Sequence, residues 1–298
     1  MSKPTHLNEI ALSILENSDD DRLEYIRSPR WIGYPKAKQI LNKLEDLLAY
    51  PPSHRMPNLL VVGDTNNGKT MLVHRFCSLH PNADNPEGNG VDAPVLYIQA
   101  PPVPEEARFY NAILDRLFAP YKHNDRVEKK LAQTIKLLRY VRVKMLVIDE
   151  IHHILAGNTN KQRGFLNVIK YLGNELQIPI VAIGTKDAFR ALQTEPQLAN
   201  RFEPTMLPRW ELNEDFLRLL VSFERMIPLK IPSNLHQSPI AARLFTMTEG
   251  YIGELSRLLV TAAIKAVVTG AEHVTMSVLE TIEWVAPSDR KYQLDQTT

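Results

Sequence analysis

Short runs of apolar residues alternate along the chain with longer stretches in which apolar residues recur every three or four positions. The runs predict five strands, at residues 58–63, 94–99, 144–149, 179–184 and 204–207. The recurrences between them predict helices at residues 70–78, 105–118, 125–141, 162–176 and 187–191. Continuous apolar strands that alternate with helices favour a parallel sheet covered on both faces. We therefore predict an α/β fold built on a five-stranded parallel sheet.

The pattern changes on both sides of this α/β segment. Near the N-terminus, Leu7, Ile10 and Ile14 recur at the spacing of an amphipathic helix. After residue 207, helical segments follow one another with no strands between them, which predicts a small helical domain. We expect four segments, namely an N-terminal helical extension, an α/β core, a helical domain and a polar tail, at residues 1–35, 36–207, 208–286 and 287–298.

One loop of the predicted core has the composition of a phosphate cradle. An apolar strand ends at Gly63, the sequence Gly-Asp-Thr-Asn-Asn-Gly-Lys-Thr follows, and a helix begins after Thr70. The glycines let the backbone turn tightly, so that its N–H groups converge on an anion at the positive end of the helix. Lys69 is expected to reach the β- and γ-phosphates of a nucleotide. The residues predicted to bind it are Gly63, Asp64, Thr65, Asn66, Asn67, Gly68, Lys69, Thr70 and Met71.

A second apolar stretch, residues 143–150, includes the predicted strand 144–149 and ends in two carboxylates, Asp149 and Glu150. In P-loop enzymes the first acid at such a strand end organises Mg²⁺ through water, and the second can polarise the attacking water. A charged strand end that faces solvent is the alternative for this motif alone, and the phosphate loop upstream argues against it. The two motifs together predict a nucleoside triphosphate and Mg²⁺ as ligands, with Thr70 and Asp149 as the metal-binding residues.

The composition is that of an ordinary soluble globular protein, with 44% hydrophobic and 23% charged residues. Thirty-five Lys and Arg residues nearly balance 34 Asp and Glu residues, so any contact with nucleic acid must come from a local patch. The single cysteine, Cys77, excludes an intramolecular disulfide and suits a reducing compartment. The polar N-terminus and the lack of a long apolar stretch lead us to expect a cytoplasmic protein without a membrane span.

An α/β nucleotide core followed by a helical domain resembles the AAA+ ATPases, and three further residues fall where that family places functional groups. Thr185 follows a strand at a position similar to sensor 1, beside the γ-phosphate, although most members have Asn there. Arg201 resembles the arginine finger that one subunit delivers to its neighbour. Arg257 resembles the sensor 2 arginine of the helical domain, or lid. Each arginine could instead be an ordinary surface or ion-paired residue, and Arg190 and Arg209 are alternative fingers.

Within the AAA+ proteins, the chain resembles the TniB/TnsC-type transposition ATPases of bacterial mobile elements. The resemblance covers roughly residues 22–285. It rests most specifically on the sequence Arg-Trp-Ile-Gly-Tyr-Pro-Lys-Ala at residues 30–37 and on Asp-Glu-Ile-His-His at residues 149–153. Matching segments elsewhere are residues 63–70, 182–186, 198–202 and 250–257.

Proteins of this type are ATP-dependent regulators that assemble on target DNA and link a target-selecting protein to an integrase-type transposase. The resemblance therefore implies that the chain binds ATP and Mg²⁺ between subunits and forms a ring or a helical filament on double-stranded DNA. Contacts to the DNA backbone would give an affinity that falls steeply with salt and depends little on sequence. The residues implied in ATP hydrolysis are Lys69, Asp149, Glu150, Thr185, Arg201 and Arg257.

Two pairs of neighbouring residues have more than one interpretation. Ile32 and Tyr34 precede the first core strand, where many AAA+ proteins hold the adenine base, and ordinary core packing is the alternative. His152 and His153 either relay the nucleotide state or cap the turn after the strand. Because adjacent histidines point in different directions, we do not expect them to form a structural zinc site.

Two groups of cations are candidates for DNA contact. The first group lies in loops or at helix ends that would line the pore of an assembled ring, and consists of Arg108, Lys122, Lys161 and Arg163. The second is a basic run on the helix before Asp149, and its members are Lys129, Lys130, Lys136, Arg139 and Arg142. Such a run is usually a solvated helix face, and this is how we interpret it.

Two other functions stay open at this point. A helicase-loader or initiator-like module that remodels a protein ring would use the same ATP site. A signalling NTPase that serves as an interaction scaffold would use the phosphate loop without DNA. Assembly that depends on duplex DNA would exclude the scaffold. A simple metabolic kinase is disfavoured, because it would have no use for the helical domain or for Arg201.

Overall fold

The computed structural model of the chain describes residues 5–86, 88, 90–193 and 200–290. By its internal contacts the chain divides into two units. The core unit consists of Pro35–Thr65 and Lys69–Pro208. The helical unit consists of Met1–Tyr34, Asn66–Gly68 and Arg209–Thr298. The predicted polar tail continues after Arg290, outside the described residues.

A parallel sheet forms the centre of the core unit. In chain order, the strands of the described residues are β1 (Asn58–Gly63), β2 (Ala83–Asp84), β3 (Val91–Asp92), β4 (Val95–Gln99), β5 (Met145–Asp149), β6 (Ile180–Gly184) and β7 (Phe202–Leu207). Five of them form one sheet in the order β4-β5-β6-β1-β7, and each neighbouring pair is parallel. β2 and β3 form a separate antiparallel pair. The predicted α/β class with a five-stranded parallel sheet is therefore confirmed.

The burial of each strand follows from its place in the sheet. Every residue of β1, β5 and β6 is buried, because a central parallel strand is covered on both faces. β7 lies at the sheet edge, where Phe202, Thr205 and Leu207 are buried and the residues between them are exposed. An edge strand accommodates Pro204, because not all of its N–H groups are needed in the ladder. The strand therefore begins at Phe202 and not at the predicted residue 204.

Helices flank the sheet and form most of the helical unit. Up to residue 193 they are α1 (Glu9–Leu15), α2 (Asp19–Arg27), α3 (Pro35–Leu48), α4 (Lys69–Leu79), α5 (Glu106–Arg116), α6 (Val127–Tyr140), α7 (Thr159–Leu176) and α8 (Lys186–Gln193). Beyond residue 208 they are Glu214–Glu224, Ile240–Thr248, Ile252–Val268 and Met276–Glu280. α7 begins earlier than predicted, because the Asn158 side chain accepts a hydrogen bond from the Lys161 N–H and caps the helix. None of the described helices combines the length and apolar composition that crossing a membrane requires.

A buried ion pair fastens the N-terminal helices within the helical unit. Arg22 on α2 is only 1% exposed. Its guanidinium donates to Glu272 (Nη1–Oε1 3.0 Å) and to the Pro228 carbonyl (Nη2–O 2.9 Å). Lys230 donates to the same carboxylate (Nζ–Oε1 2.7 Å). Burial opposes the charge on Glu272, but the hydrogen bonds from Arg22 and Lys230 outweigh it and hold the pKa of that carboxyl below its usual value.

We predict that Arg22→Met destabilises the helical unit by about 3–5 kcal/mol, because it leaves the buried Glu272 without its main partner. The three tryptophans, Trp31, Trp210 and Trp284, all belong to the helical unit. Denaturant unfolding followed by tryptophan fluorescence therefore measures the stability of this unit. Arg27→Met, at an exposed position on the same helix, is the control and should change the free energy of unfolding little. Equal stability of the two variants would contradict the prediction.

Candidate nucleotide-binding site

The predicted phosphate loop connects the end of β1 to the start of α4. β1 ends at Gly63, and α4 begins at Lys69. Two residues between them have left-handed backbone conformations, Asn66 at φ 61° and Gly68 at φ 82°. Glycine adopts such a conformation without steric cost, which explains its place at residue 68. The loop thus reverses the chain immediately before the N-terminus of a helix, where backbone N–H groups and the helix dipole favour an anion.

The Lys69 side chain is folded against the loop. It is only 7% exposed, and its ammonium group donates to the carbonyl oxygens of Gly63 (3.0 Å) and Asp64 (2.7 Å). Burial lowers the pKa of Lys69, while the carboxylates of Glu150 and Asp149 oppose this effect. A cation held at the head of a helix, next to two acids, can pair with the phosphate groups of a nucleotide.

Asp149 is a buried carboxylate with three hydrogen-bond donors. It lies at the end of β5 and is 2% exposed. Its Oδ2 accepts from the Thr70 hydroxyl and from the Tyr97 hydroxyl, both at 2.9 Å. Its Oδ1 accepts from the backbone N–H of Glu150 at 2.8 Å. The Thr70 hydroxyl and this carboxylate are hard oxygen ligands of the kind that Mg²⁺ prefers, so the residues present fit the predicted metal.

Sequence reasoning did not identify Tyr97 as part of this site. Tyr97 lies on β4, which pairs with β5 in a register that places Tyr97 opposite Val147. Burial and the neighbouring carboxylate of Asp149 raise the pKa of its phenol well above the usual value, so the hydroxyl remains a donor. The apolar pattern could not reveal this contact, because the pattern does not state which strands are neighbours.

Glu150 occupies the turn that follows β5. Its backbone is left-handed (φ 55°), a conformation that is uncommon for a residue with a side chain. The carboxylate is 34% exposed and lies 3.0 Å from Nδ1 of His152. His153 instead contacts Ala100, the residue that follows β4, through its Nδ1 and the Ala100 carbonyl oxygen (3.1 Å). Glu150, His152 and His153 offer ligand atoms within 4.8 Å of one another, a proximity that the sequence did not suggest.

Thr185 directly follows β6, the strand between β1 and β5. Parallel strands present their carboxyl ends at the same edge of the sheet. Thr185 therefore lies at the edge that also carries the start of the phosphate loop and Asp149. Lys186, the first residue of α8, lies at the same edge and approaches the Asp64 carboxylate (Nζ–Oδ1 3.8 Å).

Arg201 lies at the opposite edge of the sheet, where the strands have their amino ends. It directly precedes β7, and its carbonyl oxygen accepts a hydrogen bond from the N–H of Asn58, the first residue of β1. A strand advances about 3.3 Å per residue, so the length of β1 places the Arg201 backbone roughly 17 Å from Gly63. Its guanidinium donates to Asn174 (Nη1–Oδ1 2.6 Å). Leu198 and Ala199, which belong to the same predicted finger segment, lie outside the described residues.

The alternative finger residues have different surroundings. Arg190 on α8 is exposed and forms an ion pair with Asp187 (3.5 Å). The guanidinium of Arg209 lies 4.1 Å from the ring centroid of Tyr251. A ring-stacked arginine and a short-range ion pair are both structural arrangements, whereas the guanidinium of Arg201 has one neutral partner among the described residues, Asn174.

Within the helical unit, the residues Asn66–Gly68 contact the start of the helix Ile252–Val268. The Gly253 N–H donates to the Asn66 carbonyl oxygen (3.1 Å), and the Asn66 side chain donates to Glu254 (Nδ2–Oε1 2.9 Å). A Cβ atom at residue 253 would lie 1.9 Å from Oδ1 of Asn66, so this approach requires glycine. The glycine and the glutamate of the predicted sensor 2 segment thus hold the backbone and the side chain of Asn66.

Arg257 shares the Glu254 carboxylate with a second arginine. Arg257 donates one hydrogen bond (Nη2–Oε2 3.0 Å), whereas Arg290 donates two (2.9 and 2.6 Å). Both guanidinium groups lie over the ring of Trp284, at 4.6 and 5.7 Å from its centroid. Glu254 is buried and Arg257 is 58% exposed. Arg290 and Trp284 are participants that the sequence did not identify, because they lie far from Arg257 along the chain.

Ile32 and Tyr34 are both buried, each with 9% exposure. The Tyr34 ring packs edge-on against Trp210, with the ring centroids 4.9 Å apart. Burial raises the pKa of Tyr34 to about 12. The described contacts of Tyr34 are those of a core residue, and its role beside an adenine base remains a prediction.

The structure brings two of the four predicted DNA-binding cations together. Glu105 accepts from Arg108 (Nε–Oε2 2.7 Å) and from Lys161 (Nζ–Oε1 3.3 Å). The hydrogen bonds from these two cations lower the pKa of Glu105. Lys122, before α6, and Arg163, on α7, are both exposed.

We interpreted the basic run on α6 as a solvated helix face, and the burial of Lys130 shows that this interpretation was wrong for part of the run. Lys130 is 2% exposed, and its ammonium group donates to the His123 carbonyl oxygen (3.0 Å). Lys129 and Arg139 are exposed and pair with Asp125 and Glu175. The buried lysine fixes the loop before the helix, a role that the charge pattern alone did not reveal.

The strand order, the phosphate loop after β1 and the acids after β5 define an AAA+ P-loop NTPase fold. Solved structures of ORC proteins are similar to the chain in their fold. The ORC2 protein of Aeropyrum pernix (ADPNP–ADP complexes) matches with a TM-score of 0.61 and 13% identity, over 86% of this chain and 70% of that chain. Drosophila ORC bound to DNA matches with a TM-score of 0.58 and 16% identity, over 94% and 68%. At such identities the likeness shows the fold alone.

The family is defined by a separate comparison. The model of the family described as bacterial TniB protein matches residues 22–212, which is more than half of the chain. The chain therefore belongs to the TniB family, as the resemblance predicted. No curated protein matches its sequence.

We predict a pH dependence of stability that arises from Glu254. The hydrogen bonds from Arg290 hold the pKa of Glu254 below its usual value and outweigh the burial that opposes ionisation. A carboxyl whose pKa is lower in the folded state contributes stability above its unfolded pKa, and this contribution is lost as the pH falls through the folded pKa. The free energy of unfolding of the helical unit, followed by tryptophan fluorescence, should therefore decrease as the pH falls below the ordinary glutamate value of 4.5.

Glu254→Gln should lose stability at neutral pH and should show a shallower decrease in acid than the unmodified protein, because its amide does not titrate. Glu280→Gln, at an exposed position of the same unit, is the matched control and should keep the full slope. Identical slopes for all three proteins would show that Glu254 does not carry the predicted contribution.

Proposed function

We propose that this TniB-family protein is an ATPase that regulates DNA transposition by assembling on target DNA. The observation that carries the proposal is the arrangement of Lys69, Thr70, Asp149 and Glu150 at one edge of the sheet, with Arg201 at the other edge. The first four residues are proposed to hold the nucleotide, the metal and the attacking water. Arg201 lies too far from these four residues to reach a nucleotide bound by the same protomer. Such a division suits an enzyme that becomes active only in an assembly.

In the proposed reaction, Lys69 pairs with the β- and γ-phosphates of ATP. Thr70 and Asp149 hold Mg²⁺, which when bound neutralises charge on the phosphate oxygens. Glu150 accepts a hydrogen bond from the attacking water and polarises it. Thr185 orients the phosphate or the water, and Arg257 senses the γ-phosphate from the lid. Ile32 and Tyr34 are proposed to border the adenine base.

The sheet supports a role in trans for Arg201. The backbone of Arg201 lies roughly 17 Å from Gly63, on the strand spacing given above. An arginine side chain is too short to cross this distance. Arg201 is therefore proposed to reach the phosphates bound by a neighbouring protomer, so that hydrolysis depends on assembly. ATP would favour the assembled form, and hydrolysis would release it from DNA.

The proposed partners are double-stranded DNA, further copies of the chain, an integrase-type transposase and a target-selecting protein. Family membership supports these partners. Arg108, Lys122, Lys161 and Arg163 are proposed to contact the DNA backbone. Because a helical assembly repeats such cations along the duplex, a chain with a net charge of +1 can still bind DNA. The affinity should fall steeply with salt.

An initiator-like or helicase-loading ATPase is the second candidate function. Its support is the likeness of the fold to ORC proteins, one of which is the Aeropyrum pernix ORC1 protein in complex with DNA (TM-score 0.56, 18% identity). The match covers 87% of this chain and 68% of that chain. Such an ATPase would act on a replicative helicase, whereas the transposition regulator would act on a transposase. The partner that responds to the assembled protein therefore separates the two functions.

We predict that rings or filaments form only when duplex DNA and the ATP state are both present. Negative-stain imaging with a slowly hydrolysed ATP analogue should show assemblies on DNA, and ADP should not support them. Arg201→Ala should abolish the assemblies, since the finger would no longer contact the neighbouring nucleotide. Arg190→Ala is the control, because Arg190 is exposed and pairs locally with Asp187.

The outcomes distinguish the candidate functions. Particles that bind ATP but ignore DNA would contradict the transposition proposal and favour a signalling scaffold. Assemblies on DNA that remodel a replicative helicase and leave an integrase-type transposase unaffected would favour the initiator-like function.

We also predict that two inactive variants complement each other. Lys69→Ala should fail because it cannot hold the phosphates, and Arg201→Ala should lower hydrolysis by about 10³-fold or more, the usual contribution of an arginine finger. In an equimolar mixture, an intact Lys69 on one protomer meets an intact Arg201 on its neighbour. ATP hydrolysis measured in the presence of DNA should then return to about a quarter of the unmodified rate if protomers mix at random.

A mixture of Lys69→Ala with Lys69→Ala,Arg201→Ala is the control, because no interface in it can be complete. Full activity of Arg201→Ala alone would refute the role in trans. If Arg201→Ala is inactive and no activity returns in a mixture that negative-stain imaging shows to be assembled on DNA, then Arg201 does not act across the interface with Lys69.

A further inference from the structure

Tyr97 approaches the metal-binding edge of the sheet from the strand next to Asp149. β4 and β5 pair in parallel, with Tyr97 opposite Val147 and Gln99 opposite Asp149. Side chains two residues apart on a strand share a face, so Tyr97 and Asp149 point to the same side of the sheet. The hydroxyl of Tyr97 reaches Oδ2 of Asp149 at 2.9 Å. Its ring packs against His74 of α4, with the ring centroids 5.0 Å apart.

Three donors from three separate elements fix the Asp149 carboxylate. The Thr70 hydroxyl comes from α4, the Tyr97 hydroxyl from β4 and the Glu150 N–H from the turn after β5. A carboxylate has about four lone-pair positions. Two donors on Oδ2 and one on Oδ1 leave one position, on Oδ1, among the hydrogen bonds of the described residues. The hydroxyl of Tyr97 thus helps to decide which oxygen of Asp149 stays available.

We propose that Tyr97 is a positioning residue that orients Asp149 for metal binding. The proposal rests on the proposed ATP·Mg²⁺ site and adds a residue to it. The hydroxyl occupies Oδ2 together with Thr70, so that Oδ1 would be the oxygen left to hold the metal. The ring alone would pack equally well as phenylalanine, and the hydroxyl is therefore the part of Tyr97 that serves this purpose. Groups that orient a metal-binding carboxylate commonly change metal affinity by about 10- to 100-fold when removed.

The test is Tyr97→Phe, which keeps the ring and removes the hydroxyl. Binding of Mn²⁺ in the presence of ATP, measured by electron paramagnetic resonance, should weaken by about tenfold. Binding of ATP in the presence of a chelator should stay unchanged within about twofold, because Lys69 and the loop are untouched. Tyr171→Phe, at an exposed position on α7, is the matched control and should change neither value. Circular dichroism and the melting temperature confirm that both variants fold.

A double variant tests whether Tyr97 acts through Asp149. Asp149→Asn alone should weaken Mn²⁺ binding strongly, and adding Tyr97→Phe should weaken it no further. An additive loss, or an equal loss of ATP binding without metal, would show that Tyr97 shapes the pocket generally and would overturn the inference. Unchanged Mn²⁺ affinity in Tyr97→Phe would overturn it as well. If the unmodified protein binds neither ATP nor Mn²⁺·ATP, the proposed function fails together with the inference.

Discussion

The cost of burying the Asp149 charge constrains how the elements around β5 are arranged in the core unit. A carboxylate with 2% exposure is tolerated only if its oxygens are hydrogen-bonded, because an unpaired buried charge is costly. Three donors meet that need, from α4, from β4 and from the turn after β5. α4 and the turn after β5 must therefore keep their positions relative to β5. For the same reason β4 must pair with β5 in a single register. The same hydrogen bonds that make the charge tolerable also prepare an oxygen site suited to Mg²⁺.

Parallel strand direction gives the core unit two chemically different edges. The carboxyl ends of β1, β5 and β6 carry Lys69, Asp149 and Thr185, whereas Arg201 lies at the amino end of β7. The length of β1 keeps the two sets apart. A molecule with complementary groups at opposite edges forms head-to-tail contacts, and these contacts generate rings or helical filaments. The polarity of the sheet is thus the physical reason why a finger in trans and a repeating assembly belong to one proposal.

Much of the fold could be predicted because buried strands consist of apolar residues, and such runs are visible in the sequence. β1, β5 and β6 are buried throughout, and their continuous apolar runs gave both the strands and the parallel class. The start of β7 was missed, because an edge strand with Pro204 alternates and lacks such a run. In the candidate site, local motifs indicated Lys69 and Asp149. Tyr97 and Arg290 left no local trace, because their contacts depend on which distant segments become neighbours in space.

Two of the three buried glutamates in the described part of the helical unit, Glu254 and Glu272, extend the same reasoning. Glu272 is held by Arg22 and Lys230, and its partners lock the N-terminal helices in place. Glu254 is held by two hydrogen bonds from Arg290 and by only one from Arg257. Because Arg290 already neutralises the carboxylate, Arg257 can leave it without exposing an unpaired buried charge. Arg257 is also the more exposed of the two arginines. The sensor role proposed for Arg257 requires a side chain that moves at low cost, and the unequal sharing of Glu254 provides that freedom to Arg257 and not to Arg290.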